Sequence, residues 1–366
     1  MTDTLKRAWA EIDLSALEHN YREIRSKLPE GCRFLGIVKA DAYSHGALAV
    51  SRELERLGAD YLAVACLDEA AALRDGGIDM PILILGVTPP EYAADLADYN
   101  ITQTVCSLEM ARELSEKLCG RRLKVHCKID TGMGRLGFRP DELDDMEQLL
   151  RLPNLDFEGV FTHFAVSDEF GDPFTRTQFE CFTQTVEELE RRSGFAFKIK
   201  HCANTGAVIN YRQTCLDMVR PGLALYGHYP AAERGGLDLR PVMSLKARIS
   251  SVQEHFPGDT ISYGRIFTAT KPMKTAVVGV GYADGLHRAL SGKMDMLVNG
   301  HRARQIGRIC MDMCMLDVTD IPCRPGDVAT VFGAGVSVDE LAELAGTISY
   351  ELLCAISPRV PRVYVR

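Results

Sequence analysis

The sequence predicts an α/β protein built as a (β/α)8 TIM-type barrel, followed by a mostly-β C-terminal domain. Short apolar segments alternate with amphipathic segments over residues 33–226, a pattern that indicates parallel βα units. Eight such units within about 200 residues favour a closed barrel over an open doubly wound sheet, which is the alternative architecture. After residue 239, strands follow one another at short intervals with turns between them, as in a β domain.

The barrel is expected to span residues 1–238 and the β domain residues 239–366, with the first ~13 residues packed on the β domain. The predicted barrel strands are 33–39, 61–65, 81–86, 101–106, 123–130, 156–164, 197–204 and 218–226. Helices are predicted at 47–57, 68–74, 108–118 and 178–192. The β domain is predicted to contain strands 245–252, 275–281, 296–299, 315–318 and 328–332, and helices 338–345 and 350–356.

The composition argues against several classes of protein. The 366 residues carry a net charge of −8 with 25% charged residues, which is ordinary for a globular protein and disfavours nucleic acid as a partner. No apolar run reaches the roughly 18 residues of a membrane helix, and no apolar signal-peptide core is seen, so we expect a cytoplasmic protein. The 12 cysteines form no C-x-x-C pair, which indicates reduced thiols rather than disulfides or a metal site.

Candidate catalytic residues are sought at the carboxyl ends of the barrel strands, where such barrels place their chemistry. Lys39 ends the first strand. It is either a snorkelling lysine with its ammonium at the rim, or a desolvated amine that can form a Schiff base. Arg135, in the Gly-rich loop after the fifth strand, is either solvated or a clamp for an anion. His163 ends the sixth strand, where a lone histidine is more often a hydrogen-bonded core residue than a ligand.

Two later strand ends offer groups that can bind an anion. Asn204 and Thr205 precede Gly206 at the start of a predicted helix, which provides hydroxyl and backbone N–H groups. Gly222 and Leu223 provide backbone N–H groups after the eighth strand. The late loops of these barrels are the usual phosphate site. A phosphate site together with a reactive lysine suggests pyridoxal 5'-phosphate (PLP) as the cofactor.

Several segments, taken together and in order, resemble the alanine racemase family, and the resemblance covers essentially the whole chain. They are 8–13 (AWAEID), 38–46 (VKADAYSHG), 128–135 (KIDTGMGR), 220–227 (RPGLALYG), 281–285 (GYADG), 307–312 (GRICMD) and 359–364 (RVPRVY). The resemblance implies a PLP-dependent isomerase that interconverts L- and D-alanine and supplies D-alanine for peptidoglycan. It also implies a homodimer in which the β domain of each subunit covers the barrel of the other.

The resemblance implies roles for the core of the site. Lys39 matches the lysine that holds PLP, and Tyr263 matches the second base, on the opposite face of the substrate. Arg220 matches the arginine beside the pyridine nitrogen, and His163 looks like the residue that supports it. The residues that match the cofactor-binding cradle are Tyr43, Asn204, Thr205, Gly222, Leu223 and Tyr350. Thr205 stands where serine is usual and keeps the hydroxyl.

Further matches concern the substrate and the entrance. Arg135 matches a residue near the cofactor hydroxyl and the substrate carboxylate. Met311, with Asp312 beside it, matches a residue that contacts the substrate carboxylate, and Tyr282 matches a gate at the entrance. Lys128 matches a lysine that is carbamylated in many family members, a change that would let it pair with Arg135 rather than repel it.

Three alternatives stay open at this point. A serine or broad-specificity racemase would share nearly all of these residues, although Tyr350 is the residue expected in alanine-type members. A PLP-dependent decarboxylase of basic amino acids typically has a carboxylate where Arg220 stands. A PLP-binding protein without activity usually lacks the β domain, and with it the tyrosine that Tyr263 matches.

Overall fold

The computed structural model describes residues 6–230 and 236–366. It divides the chain into two compact units: the barrel unit (residues 17–42 and 47–240) and the β unit (residues up to 16, 43–46 and 241–366). Residues 1–5, part of the segment in which we found no signal-peptide core, lie outside the described residues. Within the described ranges, no helix combines the length and the apolar composition that crossing a membrane requires.

The strands fall into two groups along the chain. The first group comprises β1 (Ala8–Asp13), β2 (Arg33–Ile37), β3 (Tyr61–Val64), β4 (Ile82–Ile84), β5 (Thr102–Val105), β6 (Leu123–Lys128), β7 (Leu155–Phe161), β8 (Ile199–His201) and β9 (Met218–Val219). The second comprises β10 (Met243–His255), β11 (Thr260–Ile261), β12 (Phe267–Thr268), β13 (Met273–Val278), β14 (Asp295–Val298), β15 (His301–Ile306), β16 (Cys314–Asp317), β17 (Val328–Phe332) and β18 (Arg362–Val365).

Most helices lie between the barrel strands. They are α1 (Leu14–Lys27), α2 (Lys39–Ser44), α3 (Ala47–Leu57), α4 (Leu67–Asp75), α5 (Ala93–Asp98), α6 (Leu108–Lys117), α7 (Leu143–Leu149), α8 (Phe174–Ser193) and α9 (Thr205–Asn210), followed in the β unit by α10 (Val338–Ala345) and α11 (Ser349–Cys354). Local chemistry fixes several ends. The Ser107 hydroxyl accepts the Met110 N–H at 3.2 Å at the start of α6, and Gly194, at φ 70°, ends α8.

Eight strands of the barrel unit form one parallel sheet. β2 to β8 pair in chain order, and β9 pairs with β2. A parallel bridge between Asn204 and Arg220, just after β8 and β9, joins the two remaining edges. The predicted (β/α)8 barrel with a mostly-β C-terminal domain is therefore confirmed, and the carboxyl ends of its strands carry Lys39, Lys128 and Arg220.

The eighth barrel strand is shorter than the predicted segment 218–226. β9 ends at Val219, and Leu223–Tyr226 form a 3-10 helix instead. Pro221 has no N–H with which to continue the ladder, so the chain leaves the sheet there. The prediction of a strand beyond Arg220 was wrong, and Gly222 and Leu223 lie in the following turn, where their backbone is not committed to the sheet.

The β unit contains a closed ring of antiparallel strands. β10 pairs with β17 and also with β13, which closes the order β13-β16-β15-β14-β17-β10. β1 pairs antiparallel with β10 and parallel with β18, so the N-terminal strand belongs to this unit. Every second residue of β1 (Ala8, Ala10 and Ile12) is buried, the period expected for a strand with one face on a core.

Candidate active site

Lys39 follows β2 and begins a helical turn of unusual hand. Residues 40–44 all have φ between 52° and 63°, which is the left-handed region. An L-residue in this conformation costs roughly 1–2 kcal/mol, so the surrounding contacts must hold the turn. The Ala40 N–H donates to Glu69 Oε1 at 2.7 Å, and the Ala42 N–H donates to the Val38 carbonyl at 2.9 Å. These bonds fix the backbone from which the Lys39 side chain projects.

Four cationic groups act on His163 at the carboxyl ends of the barrel strands. Burial, and then the charges of Arg220, Lys128, Arg135 and Lys39, hold the pKa of His163 well below its usual value. The imidazole is therefore neutral near pH 7 and can serve as an acceptor or a donor at one nitrogen each. The concentration of positive charge in this part of the barrel unit favours an anionic ligand.

Lys128, the last residue of β6, has a buried amine. Its side chain is 4% exposed, and Nζ has no hydrogen-bond partner within the described part of the chain. Nζ lies 4.9 Å from the centroid of the Phe161 ring. Burial, together with the charges of Arg220 and Arg135, lowers the pKa of this amine to about 7, against the opposing effect of Asp130. A large fraction of Lys128 is consequently an uncharged amine at neutral pH.

Arg220 is 3% exposed, and neutral acceptors surround it. Its guanidinium donates to the Thr162 carbonyl at 2.8 Å, to the Cys202 carbonyl at 3.1 Å and to His201 Nδ1 at 3.0 Å, and lies 3.3 Å from His163 Nδ1. Among the described residues, no carboxylate oxygen lies within 4.0 Å of it. Burial lowers the pKa of Arg220 to about 10, so the group stays charged at neutral pH.

The start of α9 forms the second part of the barrel site. The Asn204 side-chain oxygen accepts the Ala207 N–H at 3.1 Å and the Ser167 hydroxyl at 2.6 Å. The Gly222 N–H donates to Thr205 Oγ1 at 2.9 Å, which leaves the proton of that hydroxyl for another acceptor. The predicted juxtaposition of the turn at Gly222 with the start of the helix is thus observed.

The loop that carries Arg135 is organised around one carboxylate. Asp130 accepts the backbone N–H groups of Gly132 at 2.9 Å, Gly134 at 3.1 Å and Arg135 at 2.8 Å. Gly137 has φ 123°, and a Cβ there would lie 2.8 Å from the Lys128 carbonyl, so only glycine fits. The loop returns to β6 at this glycine and holds the exposed Arg135 at the rim near Lys128.

Tyr43 and Tyr350 contact each other in the β unit. Their ring centroids are 5.8 Å apart. The backbone beside Tyr43 is tied down by two bonds: Ser44 Oγ donates to the Cys354 carbonyl at 3.1 Å, and Arg362 Nε donates to the Ser44 carbonyl at 2.8 Å. Burial raises the pKa of Tyr43, so its hydroxyl remains a protonated donor.

Tyr263 lines a cavity in the β unit. The cavity has a volume of about 650 Å³, and its lining includes Ser262, Tyr263, Cys310, Met311, Asp312 and Met313. Tyr263 is 70% exposed, Met311 52% and Met313 45%. Three predicted site residues, Tyr263, Met311 and Asp312, are therefore brought together on one exposed and largely apolar surface.

A buried carboxylate in the 281–285 segment is linked through Arg359 to Asp312, which lines this cavity. Asp284 is 1% exposed and pairs with Arg7 and with Arg359, whose Nε lies 3.0 Å away. Arg359 also donates to Asp312 Oδ1 at 2.8 Å. The N–H of Tyr282 donates to the Cys310 carbonyl at 3.0 Å. The entrance candidate Tyr282 and the substrate candidate Asp312 are thus held in one network.

Two family models match the chain. The model described as "Alanine racemase, N-terminal domain" matches residues 12–230, and the one described as "Alanine racemase, C-terminal domain" matches residues 242–364. The chain belongs to the alanine racemase family. It is accordingly an amino-acid racemase, an isomerase, and the family identity implies PLP as the cofactor.

Relatives and solved structures cover nearly the whole chain. The alanine racemase of Desulfovibrio desulfuricans is 48% identical over 363 residues, which are 98% of this chain and 98% of that protein. The structure of alanine racemase from Clostridium difficile 630 is 41% identical, with a TM-score of 0.94, and the match covers 98% of this chain and 96% of that one. The same enzyme in complex with cycloserine gives a TM-score of 0.92 at 40% identity, with the same coverage.

The barrel residues fit a phosphorylated aldehyde cofactor. Lys39, Lys128, Arg135 and Arg220 concentrate positive charge around His163, and the turn at Gly222 together with the start of α9 offers backbone and hydroxyl donors. In the described part of the chain, no group of three or more His, Cys, Asp or Glu side chains could hold a metal ion. The cationic side chains and the hydroxyl and backbone donors suit an anionic group.

The predicted site residues fall into two sets. Lys39, Lys128, Arg135, His163, Asn204, Thr205, Arg220, Gly222 and Leu223 lie in the barrel unit, whereas Tyr43, Tyr263, Tyr282, Met311, Asp312 and Tyr350 lie in the β unit. Sequence analysis assigned no role to Asp284 or to the residues that extend inward from Arg220, namely His201, His126, Glu158 and Tyr61. The acidic residue of the GYADG segment was the available signal for Asp284. For the others, the signal was two histidines at inward-facing strand positions.

Proposed function

We propose that this chain interconverts L- and D-alanine with PLP, using Lys39 and Tyr263 as the two bases. The proposal is carried by the cationic side chains of Lys39, Arg135 and Arg220, which, with the partly protonated Lys128, act on the neutral His163. This cluster suits an anionic cofactor, and the relatives that cover the whole chain are alanine racemases. Bound PLP supplies the electron withdrawal that makes the α-hydrogen of an attached amino acid acidic.

Racemisation requires a proton to leave one face of the α-carbon and another to arrive on the opposite face. A single base would have to travel around the substrate, whereas two bases on opposite faces need not move. We assign the Lys39 amine to one face and the Tyr263 hydroxyl to the other, so that each accepts or donates according to the direction of reaction. Lys39 would also carry the cofactor covalently when no substrate is bound.

Arg220 would lie at the pyridine nitrogen and limit side reactions. A guanidinium has donors only and remains protonated, so a ring nitrogen beside it stays an unprotonated acceptor. Electron withdrawal is then weaker than with a carboxylate partner. The abstracted proton is returned quickly, and transamination is disfavoured.

The remaining predicted residues would bind the cofactor and orient the substrate. We assign the phosphate to Tyr43, Asn204, Thr205, Tyr350 and the backbone of Gly222 and Leu223. Arg135, Met311 and Asp312 would contact the substrate carboxylate, with Tyr282 at the entrance. A carbamate on Lys128 would neutralise and position Arg135. The reaction would take place in the cytoplasm and supply D-alanine for peptidoglycan.

We propose that two subunits share each active site in a homodimer. The surface around Tyr263 exposes several large apolar side chains, with Ile266 at 52%, Met311 at 52% and Tyr282 at 43% exposure. Exposed apolar surface of this kind is typical of an interaction site. In a two-fold symmetric dimer, the same pair of surface patches makes contact twice, so assembly stops at two subunits. Such a contact would place each Tyr263 on the partner's barrel.

The proposal is tested with purified protein reconstituted with PLP. We expect borohydride reduction and peptide mapping to label Lys39, and racemisation of L-alanine to exceed that of L-serine in kcat/KM. Lys39→Ala should abolish the label, whereas Lys198→Ala, which removes an exposed lysine of the same unit, should keep it. A label on another residue would overturn the assignment of Lys39. Faster turnover of L-serine would make serine the substrate, and release of CO₂ would indicate a decarboxylase.

A further inference from the structure

A buried chain of polar contacts, most of them hydrogen bonds, leads away from Arg220. His201 Nδ1 accepts from Arg220 at 3.0 Å, and His201 Nε2 lies 2.9 Å from His126 Nδ1. His126 Nε2 lies 3.7 Å from Glu158 Oε2, and the Tyr61 hydroxyl donates to the same carboxylate oxygen. Both histidines are 0% exposed. The chain therefore joins a fixed cation to a carboxylate through two imidazoles.

The groups at the two ends of this chain of contacts determine the direction in which its protons point. Arginine has donors and no acceptor, and an ionised carboxylate has acceptors and no donor. Since Arg220 donates to Nδ1 of His201, the proton of a neutral His201 must be on Nε2. That N–H donates to Nδ1 of His126, whose own proton is then on Nε2 and faces Glu158. Each proton in the chain points away from Arg220.

The charges agree with this proton assignment. Burial, and then the charge of Arg220, lowers the pKa of His201 well below its usual value. Burial likewise lowers the pKa of His126. The nearby His126 imidazole, with the hydrogen bond from Tyr61, lowers the pKa of Glu158 to about 2 despite its partial burial. Two neutral imidazoles consequently separate a permanent cation from a permanent anion.

The backbone is shaped to admit this arrangement. In the pairing of β6 with β7, Val125 lies opposite Phe157 but His126 lies opposite Gly159, so Glu158 is an extra residue in β7. Bulges of this kind redirect side chains. A Cβ on Gly159 would lie 2.6 Å from the His126 ring, so the glycine leaves the space that the imidazole occupies.

We propose that Glu158 is the remote counter-ion of Arg220 and that Glu158 and His126 fix the tautomer of His201. They are positioning residues: the reverse tautomer of His201 would direct an N–H against the N–H groups of Arg220. Arg220 is buried and has no carboxylate oxygen within 4.0 Å among the described residues, and the two histidines connect it to Glu158. The importance of this for catalysis rests on the proposed role of Arg220 beside PLP.

The first test reads the tautomers directly in the wild-type protein. Ring-¹⁵N-labelled histidine and long-range ¹H–¹⁵N spectra show which nitrogen carries the proton, with His126→Gln and His201→Gln used for assignment. We expect Nε2–H on both residues, in the cofactor-free and the PLP-loaded protein. A proton on Nδ1 of His201, or a doubly protonated ring, would overturn the proposal. This measurement does not depend on turnover, so absence of racemisation would count against the proposed function alone.

The second test separates positioning from simple structural support. Glu158→Gln removes the charge, and Glu190→Gln is the control, because Glu190 is 20% exposed against 19% for Glu158 and pairs with Lys200 at 2.8 Å. In Glu158→Gln we expect mixed tautomers of His126, which faces the substituted side chain, a shifted absorbance of bound PLP and a kcat lower by about 10-fold with little change in KM. Glu190→Gln should show none of these changes. Wild-type tautomers, absorbance and kcat in Glu158→Gln would overturn the proposal. If that variant does not fold, the tautomers read from the wild-type spectra decide whether the proposal stands.

Discussion

The amine of Lys128 differs strongly in its acid–base behaviour from that of an ordinary lysine. Its amine is buried, and its pKa is lowered to about 7, so the uncharged form that adds to CO₂ is abundant at neutral pH. Addition of CO₂ to the uncharged amine forms an N–C bond, releases one proton and places an anion beside Arg135. We predict that protein equilibrated with ¹³C-bicarbonate shows a carbamate resonance that Lys128→Met lacks. High-resolution density with a bare ammonium at Lys128 would contradict this prediction.

Without CO₂, the same residue should make stability depend on pH. Between a folded pKa of about 7 and the ordinary lysine pKa of 10.5, the unfolded chain holds a proton on Lys128 that the folded chain lacks. The unfolded state binds more protons in this range, so the free energy of unfolding should rise with pH, by a few kcal/mol in order of magnitude. Lys128→Met should be more stable at pH 7 and should flatten the rise seen in denaturant titrations from pH 7 to 9.5. Lys198→Met, at an exposed lysine, should leave the rise intact.

At the residue scale, sequence reasoning located the ends of strands but not their inward partners. Lys39 was found because barrels place chemistry at strand ends, and Arg220 was found through the family resemblance; both lie at strand ends. Glu158 escaped notice because it is the extra residue of a bulge. A one-residue change of register moves a side chain to the other face of a strand, and no periodicity in the sequence marks it.

At the scale of elements, the left-handed turn after Lys39 offers a stability test. Ala40 is exposed and has φ 52°, which costs free energy with a Cβ and little with glycine. We predict that Ala40→Gly raises the free energy of unfolding by about 0.5–1 kcal/mol. Ala72, exposed in the right-handed helix α4, is the matched control, and Ala72→Gly should lower stability by about 0.5–1 kcal/mol. Equal signs for the two variants in urea titrations would contradict the argument.

The elements that were predicted well have strong periodicity. The helix predicted at 47–57 and the strand predicted at 328–332 have the observed bounds Ala47–Leu57 and Val328–Phe332. The turn α2 was not predicted, because alanine, tyrosine and serine have no preference for positive φ, and only tertiary contacts hold them there. Local sequence thus indicates elements that form by local preference and misses those that the surroundings impose.

At the scale of the whole molecule, the two-part architecture followed from a change of pattern near residue 239, and the contacts divide the chain at Arg240. The N-terminal segment, predicted to pack on the β domain, forms the strand β1, whose partners β10 and β18 lie more than 200 residues away in sequence. Composition could not indicate which surface meets another subunit. That inference needed the exposed apolar side chains around Tyr263.

The shared active site can be tested by complementation between two inactive variants. Lys39→Ala and Tyr263→Phe should each reduce racemisation to near zero. In a mixed dimer, one site would carry both defects and the other neither, provided that the two residues come from different subunits. After co-refolding of equal amounts, about half of the dimers are mixed, so about a quarter of all sites should be intact.

The control for this experiment mixes Lys39→Ala with the double variant Lys39→Ala/Tyr263→Phe, in which no barrel retains its lysine and activity must stay absent. Native mass spectrometry would establish that mixed dimers form. If they form and activity does not return, both residues of each site belong to one chain, and the exposed surface around Tyr263 must then close over its own barrel. Recovery near a quarter of the wild-type rate would instead show that each subunit completes the site of its partner, since no other pairing of the two variants yields an undamaged site.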